Sequence, residues 1–463
     1  MTESEKKFYE MTRTPLRRQI IRLAVPVMIC MLMNTIYNTA DTYFVGRLGK
    51  AATGAVGIAY PAMNMITAIG HALGNGGGTS VAGSLGSRDR TMASRAATTT
   101  LFICLLISLV IGLTGCMFRD RLAFLLGATE TIAPLAADYL KFILLGMVFE
   151  TSSQAMNYLL RFQGNPGLAM VALLSGGFLN LLLDPLLIFT FHMGVAGAAL
   201  ATALSQTFSF AFLLILCLRS GVVELKWKHL YFDPALFRAI FRIGTPTFVR
   251  QLLNSLSTVI LNFAARPYGD AGIAAVTIVS RVTFFCMSLI LGFHQGFQPF
   301  CAFNYGAKQY RRVYRGLLFT LRLCFSALCL IGLVGFVFAG PAAGLFTKDG
   351  EVQALAALGM RLSLPTIPFV ASMIGLDMVF QTLGHVGKNL LLALLRQGGF
   401  LLLFALVFPM IWQFLGVQLA QPCGEMSSFI FALLLFRAPL KSLKNLADRD
   451  TGTGGEPDAN DAA

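Results

Sequence analysis

Charged residues are scarce in this sequence, and so are histidine and tryptophan. Asp, Glu, Lys and Arg together make up 13% of the 463 residues, whereas soluble globular domains carry about 25%. Hydrophobic residues account for 56%, and apolar stretches of about twenty residues recur, which is the length of a membrane-spanning helix. The composition argues against a soluble protein and predicts a chain that crosses a membrane many times.

The sequence also lacks the patterns that catalysis or metal binding needs. It has five histidines and nine single cysteines, with no CxxC pair, no HExxH motif and no Ser/His/Asp set. The stretch GNGGGTS at Gly74–Ser80 has neither the lysine nor the preceding strand of a phosphate-binding loop. We expect no enzyme activity, no cofactor and no disulfide scaffold. The glycines fit close helix packing or an unwound stretch that lines a cavity.

Twelve membrane spans are predicted, and basic residues cluster at alternate ends of them. The spans start near Ile20, Ala52, Met92, Thr131, Pro166, Gly194, Ile240, Gly272, Val313, Ala354, Asn389 and Gly416. Segments rich in Lys and Arg precede the first span and follow every even-numbered span, so the positive-inside rule places both termini in the cytoplasm. The net charge of +14 therefore predicts orientation in a cell membrane, and nucleic-acid binding is not expected.

The two halves of the chain repeat at a constant offset. Pro26 aligns with Pro246 and Asn34 with Asn254, and several glycines align in the same register. Because each half holds six spans, an even number, both halves enter the membrane in the same direction. This predicts an all-α polytopic protein with two parallel six-helix repeats, a pseudo-twofold axis along the membrane normal and a central cavity, which is transporter architecture.

The longest polar connection lies mid-chain and is taken as the joint between the two lobes. The predicted parts are a cytoplasmic N-terminal segment at 1–19, an N-lobe at 20–218, a cytoplasmic linker at 219–239, a C-lobe at 240–437 and a disordered cytoplasmic tail at 438–463. We expect the chain to act as a monomer.

An acidic site is predicted in the N-lobe. The fifth span contains Asn180 and Asp184, one helical turn apart. An acid inside a span costs about 2.5–3.5 kcal/mol, and Asp41 in the first span and Thr202 in the sixth should lie at the same depth. These oxygens suit Na⁺, and two close carboxylates suit a proton, so the sequence leaves the ion open. The alternative is a structural Asp184 and a water-facing Asp41.

Further residues extend this site. Pro185 disfavours the helical hydrogen bond to the Leu181 carbonyl, which makes that oxygen a candidate ligand and Pro185 a kink. Glu150 in the fourth span lies closer to the cytoplasmic end, and a water-facing structural role fits it as well as a functional one. The supporting polar network is predicted to comprise, in the same span, Tyr139, Gln154 and Asn157.

The acid pair is not duplicated in the second half. At the repeat offset, Leu261 and Phe404 stand where the first half has its two acids, which disfavours a purely structural need for them. The second half has its own acid, Asp377, for which a substrate patch and an ion pair with Arg250 are alternatives. The candidates for the substrate cavity are Asn34, Tyr37, Gln251, Met287, Asp377 and Gln381.

Together with the repeat, four stretches resemble the multidrug and toxic compound extrusion (MATE) transporters. They are RFQGNPGLAM, LNLLLDPLLI, GVAGAALATALSQ and FQTLGHVGKNLLLALLRQ. The stretch NTADTYFVGRLG, with its acid late in the first span, is similar to the bacterial and archaeal branch. The resemblance covers about residues 15–440. It implies that Pro26 bends the first span and that the cation site, for Na⁺ or H⁺, is formed by Asp41, Asp184, Asn180 and Thr202.

The resemblance implies a cation-coupled antiporter that exports amphipathic, often cationic, drugs. Other members carry a glutamate on the seventh span, where this sequence offers Gln251, and this difference puts a C-lobe cation site in doubt. One alternative is a lipid-linked precursor flippase of the same superfamily, which the acids of the first half disfavour. The other is a non-transporting membrane receptor.

Overall fold

The computed structural model describes residues 2–128, 130 and 132–450, except the side chains at 38–43, 50–51, 53 and 270. This part of the chain is helical and contains no strand. The predicted disordered tail at 438–463 is helical up to Arg449, as the end of the last helix, and its residues beyond 450 lie outside the described part. The helices are α1 (Glu3–Arg13), α2 (Leu16–Gly46), α3 (Lys50–Gly86), α4 (Arg90–Met117), α5 (Arg119–Leu125), α6 (Ala133–Phe162), α7 (Pro166–Pro185), α8 (Gly194–Arg219), α9 (Pro234–Ala265), α10 (Gly269–Gly306), α11 (Tyr310–Val337), α12 (Ala339–Gly344), α13 (Gly350–Ser363), α14 (Ile367–Thr382), α15 (Val386–Leu394) and α16 (Leu401–Arg449).

The predicted spans correspond to the long helices. Eight helical stretches among the described residues are long and apolar enough to cross a membrane. One of them, Val386–Arg449, has 64 residues and turns at Trp412 and Gln413, where the backbone is not helical, so it holds two successive helices. The helices α3, α6 and α9 have 37, 30 and 32 residues, which also exceeds the roughly 20 that a span requires. These helices match the twelve predicted spans.

The backbone repeats at the predicted offset, the one that separates Pro26 from Pro246. The helices α4 and α11 have 28 residues each and begin and end at equivalent positions of the two halves. Residues with positive φ recur in the same register in the loops, and the pair Arg88 and Lys308 has φ values of 62° and 59°. This left-handed conformation costs a residue other than glycine about 1–2 kcal/mol. Both halves therefore keep the same strained turn, as copies of one structural plan.

The chain forms two compact units, whose border differs from that of the predicted lobes. One unit comprises Met1–Thr14, Arg22–Phe248 and Ala302–Lys308, and the other comprises Pro15–Ile21, Val249–Cys301 and Gln309–Ala463. The border therefore falls inside α9, after Phe248, rather than at the polar linker. The first part of α9 belongs to the first unit because it packs there, as the glycines of α3 show.

Small residues allow the helices of the first unit to approach closely. The stretch GNGGGTS is continuous helix within α3, which favours close packing over an unwound stretch. A Cβ atom added at Gly74 would crowd α6, and one at Gly77 would overlap Thr100 of α4. One at Gly76 would overlap the carbonyl oxygen of Ile240 in α9. Close backbone approach is a main source of helix association in lipid.

A short N-terminal helix packs on the first unit, and sequence analysis did not anticipate it. The helix α1 begins with a capping box of Thr2 and Glu5. Its Met11 is fully buried, and the Met11 carbonyl accepts a hydrogen bond of 3.2 Å from Nδ2 of Asn304. Its Lys7 donates to the carbonyl oxygen of Gly164 at 3.3 Å. Thus α1 joins the loop between α6 and α7 to the end of α10.

Candidate cation and substrate sites

The helices α7 and α8 bring Asn180, Asp184 and Thr202 together in the first unit. Nδ2 of Asn180 lies 3.4 Å from Oδ1 of Asp184 and 3.5 Å from Oγ1 of Thr202. The Thr202 hydroxyl donates to the Ala198 carbonyl at 3.1 Å, so its oxygen is the acceptor toward Asn180. Asn180 is 6% exposed and Asp184 is fully buried. One amide therefore connects a buried carboxylate to a hydroxyl on the neighbouring helix.

Glycines set the close spacing that positions Thr202. Gly176 of α7 faces Ser209 of α8, and a Cβ atom at Gly176 would overlap the serine hydroxyl. Gly146 of α6 faces Ala203 of α8, where an added Cβ would lie 2.8 Å from that of Ala203. Because α8 is held against both neighbours, Thr202 is fixed at the depth of Asn180.

Asp184 stands at the end of the regular part of its helix. The helix α7 ends at Pro185 and continues as a π-helical turn, Leu186–Thr190. There the Phe191 N–H donates to the Leu186 carbonyl at 2.9 Å, five residues earlier. Such turns occur often at functional sites. The predicted kink at Pro185 thus coincides with a change of helix type, while an ion contact of the Leu181 carbonyl stays a prediction.

Asp41 belongs to α2, but its side chain lies outside the described residues, so its contact with Asp184 stays a prediction. One turn earlier in α2, the ring of Tyr37 lies against α7. A Cβ atom at Gly177 would be 3.3 Å from Cδ1 of that ring. The helix of Asp41 therefore touches the helix that carries the buried acid through Tyr37, at Gly177, three residues before Asn180.

The three polar candidates on α6 lie at different depths. Tyr139 and Asn157 are both buried, but the stretch of α6 between them is about 27 Å long at the rise of an α-helix. The Tyr139 hydroxyl donates to Sδ of Met63 at 3.5 Å, and Gln154 is half-buried. Their support of the cation site stays a prediction.

Glu150 connects α6 to α3. Its Oε1 accepts a hydrogen bond of 2.9 Å from the hydroxyl of Thr67. The same hydroxyl lies 3.0 Å from the Met63 carbonyl, to which it also donates, so the carboxylate shares this proton. The contact holds two helices together, which agrees with the structural role left open for Glu150.

In the second unit, Asp377 is held by two donors. Nη1 of Arg250 lies 2.6 Å from Oδ2 of Asp377, and Nδ2 of Asn389 lies 2.7 Å from Oδ1. Nη2 of Arg250 also approaches Oε1 of Gln381 at 3.5 Å. The ion pair between α9 and α14, the alternative to a substrate patch, is therefore present. A substrate role of Asp377 and Gln381 stays a prediction.

A second ion pair lies close to the first. Nε and Nη2 of Arg396 lie 2.8 and 2.9 Å from the two oxygens of Glu425, in the parallel geometry that makes such pairs strong and specific. A small cavity is lined by both Arg250 and Arg396. The partner of Arg396 lies on a later helix, and the residue spacing in the sequence carries no signal of this pair.

The remaining candidates for the substrate cavity differ in exposure. Asn34 is exposed, Tyr37 and Gln251 are half-buried, and Met287 is buried. Asn34 and Tyr37 belong to the first unit, and Gln251 and Met287 belong to the second. Their part in binding a substrate stays a prediction.

A family profile, MatE, matches residues 26–186 and again residues 246–407. The two matches begin at the equivalent prolines Pro26 and Pro246, and together they cover more than half of the chain. The chain belongs to the MatE family. The resemblance to MATE transporters in the sequence is thereby confirmed, and a MatE chain of this helical make-up is a membrane protein.

Relatives match along most of their length. The multidrug export protein MepA of Staphylococcus aureus (strain MSSA476) is 27% identical over 367 residues, 78% of this chain and 81% of MepA. A MATE structure in the bent conformation has a TM-score of 0.90 and 27% identity, covering 96% of this chain and 99% of that one. A MOP superfamily transporter from Pyrococcus furiosus has a TM-score of 0.86 and 28% identity, covering 95% and 99%. That transporter is described by a binding pocket of reverse polarity that suggests a different function. These similarities confirm the predicted fold.

Proposed function

We propose that this MatE protein is an antiporter that exports amphipathic, often cationic, small molecules in exchange for H⁺ or Na⁺. The relative MepA, which is named a multidrug export protein and matches 78% of this chain, supports the substrate class. The chain works as a monomer in the cell membrane, with both termini in the cytoplasm. In this proposal, the two predicted lobes, at 20–218 and 240–437, carry out an alternating-access cycle.

The single observation that carries the coupling mechanism is the bridge made by Asn180. Its amide approaches both the buried carboxylate of Asp184 and the hydroxyl of Thr202, at 3.4 and 3.5 Å. A carboxylate inside a membrane span costs about 2.5–3.5 kcal/mol, so an ion or proton that neutralises it is favoured. Asp184 and Thr202 offer oxygens to Na⁺, and Asn180 offers its own once the amide turns, since its Nδ2 faces both of them in this structure. The carboxylate alone can carry H⁺.

Asp41 completes this site in our proposal. Tyr37 contacts Gly177, and odd-numbered spans run in the same direction by the predicted topology. Asp41 lies four residues after Tyr37, and Asp184 lies seven after Gly177. At the rise of an α-helix, the two acids are thus about 4–5 Å apart in depth, within reach of a shared ion.

The ion gradient drives the cycle through α2 in this mechanism. Moving one charge across 100 mV releases about 2.3 kcal/mol. Occupancy of the acidic site draws α2 toward α7, which shifts the equilibrium between two arrangements of α2. Pro26 in α2 and Pro185 at the end of α7 are the proposed bending points, because proline weakens the helix locally. The shift reshapes the substrate cavity and releases the drug outward.

Efflux of an ethidium-type dye from proteoliposomes tests this function, with H⁺ and Na⁺ gradients imposed separately. We expect one of the two gradients to drive efflux, and Asp184→Asn and Asp41→Asn to abolish it while dye binding remains. Asp138→Asn is the matched control, because it removes the same charge from an exposed position at the start of α6. Gradient-driven efflux at the wild-type rate in Asp184→Asn would refute the coupling site.

The alternative functions give different outcomes in the same liposomes. A non-transporting receptor gives no gradient-dependent flux of any dye. A flippase of lipid-linked precursors moves a fluorescent pyrophosphate-linked lipid between leaflets and leaves the dye in place.

A further inference from the structure

An apolar groove opens on the first unit between α3, α4 and α9. Its cavity has a volume of about 220 Å³, and its walls include Leu73, Ile107, Phe241, Thr245 and Phe248. Phe241 and Thr245 are exposed, so the groove is open toward its surroundings. None of the residues proposed for ion coupling lines it. Walls of this kind suit a hydrocarbon chain and offer little to a hydrated ligand.

Aromatic side chains of the linker extend one end of this groove. The ring of Phe102 in α4 lies 6.4 Å from that of Trp227 and 5.8 Å from that of Phe232. Phe232 in turn stacks on Phe237 of α9 at 6.1 Å. Phe237 lies one helical turn before the groove residue Phe241, so the rings and the groove form one continuous apolar strip.

The exposed rings of Trp227 and Phe232 resemble the aromatic anchors that membrane proteins place at the lipid–water interface. Trp227 is 78% exposed and Phe232 is 67% exposed, although both lie in a polar connection between membrane-length helices. Tryptophan is enriched at the level of lipid headgroups, where its amphipathic ring is stable. The two exposed rings therefore favour a linker that lies at the membrane surface.

Basic side chains lie near the same end of the apolar strip. Arg238 and Arg242 of α9 are exposed, and each precedes a groove residue, Phe241 or Thr245, by three positions, which puts them on the groove's side of the helix. The segment 219–242 carries five Lys and Arg residues against two acids. Of these, Lys226 already pairs with Glu224 at 2.9 Å, whereas Arg238 and Arg242 flank the groove residues Ile240 and Phe241 in the sequence of α9.

We propose that this groove is a binding site for one anionic glycerophospholipid of the leaflet next to the linker. The phosphate and its anionic headgroup lie on Arg238 and Arg242, and one acyl chain fills the groove down to Phe248. Trp227 and Phe232 cover the glycerol region. The proposal goes beyond drug and ion transport, because the site is separate from the acidic site on α7 and α8.

Purified, delipidated full-length protein in detergent tests this site with two probes, phosphatidylglycerol and phosphatidylcholine of the same acyl chains. We expect phosphatidylglycerol to raise the unfolding temperature more than phosphatidylcholine does, and native mass spectrometry to retain one such lipid per chain. The double variant Arg238→Gln/Arg242→Gln should bind phosphatidylglycerol at least tenfold more weakly. The matched control Arg437→Gln/Lys441→Gln removes two exposed charges with the same spacing from the end of α16 and should bind it normally.

A groove-filling variant tests the acyl-chain part of the site without changing charge. Thr245→Trp should lose the retained lipid and keep the wild-type unfolding temperature in its absence. Equal effects of the two lipids, or equal loss in the control variant, would overturn the proposal. If Thr245→Trp weakens dye binding but keeps the lipid, the groove belongs to the transported substrate. If it converts a dimer to a monomer, the occupant is a second copy of the chain.

Discussion

Arg250 and Asp377, which belong to helices distant in the sequence, form an ion pair of 2.6 Å between α9 and α14. Their side chains are 20% and 9% exposed, and Asn389 occupies the other carboxylate oxygen of Asp377. Both carboxylate oxygens of Asp377 are thus engaged by donors, and one of the donors is the guanidinium of Arg250. The acid of the second half therefore has a cationic partner on a neighbouring helix of the same unit.

The first prediction concerns this pair. Arg250→Gln leaves a largely buried carboxylate without its counter-charge, which costs about 3–5 kcal/mol for a fully buried pair and less here because a fifth of Arg250 is exposed. We expect Arg250→Gln to have a lower unfolding temperature in detergent than the wild type. The double variant Arg250→Met/Asp377→Leu should regain part of that temperature. The exposed Arg322→Gln on α11 is the control. If Arg250→Met/Asp377→Leu keeps the wild-type unfolding temperature but no longer binds dye, the substrate role of Asp377 is favoured instead.

The second prediction concerns the glycines of α3. Gly76→Ala places a methyl group on the carbonyl oxygen of Ile240, so the two helices must separate. The free energy of unfolding should fall by about 1–3 kcal/mol. Gly83→Ala, in the same helix, meets nothing within 4 Å and should gain about 0.5–1 kcal/mol from helix propensity. Thermal unfolding of both variants measures the difference. Equal stability would mean that the close contact at Gly76 does not exist in the membrane.

The third prediction concerns the N-terminal helix. Met11 is fully buried, so Met11→Ala should destabilise the first unit by about 2–5 kcal/mol. Tyr9, two residues earlier and 60% exposed, provides the control Tyr9→Ala, which should change stability by less than about 0.5 kcal/mol. Hydrogen exchange should show that Met11→Ala also exposes the loop at Gly164. If the two variants behave alike, α1 does not pack on the unit.

The fourth prediction distinguishes the two candidate ions. Thr202→Val removes an oxygen from the proposed site, so Na⁺-driven efflux should need a roughly tenfold higher Na⁺ concentration, about 1.4 kcal/mol. A proton on Asp184 needs no such ligand, so H⁺-driven efflux should be unchanged. Thr207→Val on the same helix removes a hydroxyl that also donates to the carbonyl four residues earlier, and it controls for helix effects. Equal loss in both variants would exclude a ligand role for Thr202.

The sequence was sufficient to predict the membrane helices and their duplication in the two halves. Long apolar runs fix where helices lie, and glycines and prolines at a constant offset fix the repeat, since these signals act locally. The link between Asn180 and Asp184 was also predictable, because a spacing of four residues puts both side chains on one face of a helix.

Contacts between distant segments of the chain were harder to predict from the sequence. The partners of Arg396 and Lys7 depend on which helices become neighbours, and a single sequence carries no direct signal of that. The role of Gly74–Ser80 was ambiguous for a similar reason, because a glycine can permit either close packing or an irregular backbone. The helix α1 was missed because it is short and polar, although Thr2 and Glu5 form a recognisable capping box.

The matching left-handed turns at Arg88 and Lys308 have a consequence for engineering and for descent. Each turn ends one helix and starts the next at an equivalent place, so the backbones of the tetrapeptides at 86–89 and 306–309 should be exchangeable. The exchange moves one helix cap, because Asp89 accepts from the Met92 N–H whereas Gln309 makes no such bond. The shared turn is what duplication of an ancestral six-span chain, inserted twice in the same direction, would leave. Leu261 and Phe404, by contrast, mark positions at which the two halves differ, because only the first half has acids there.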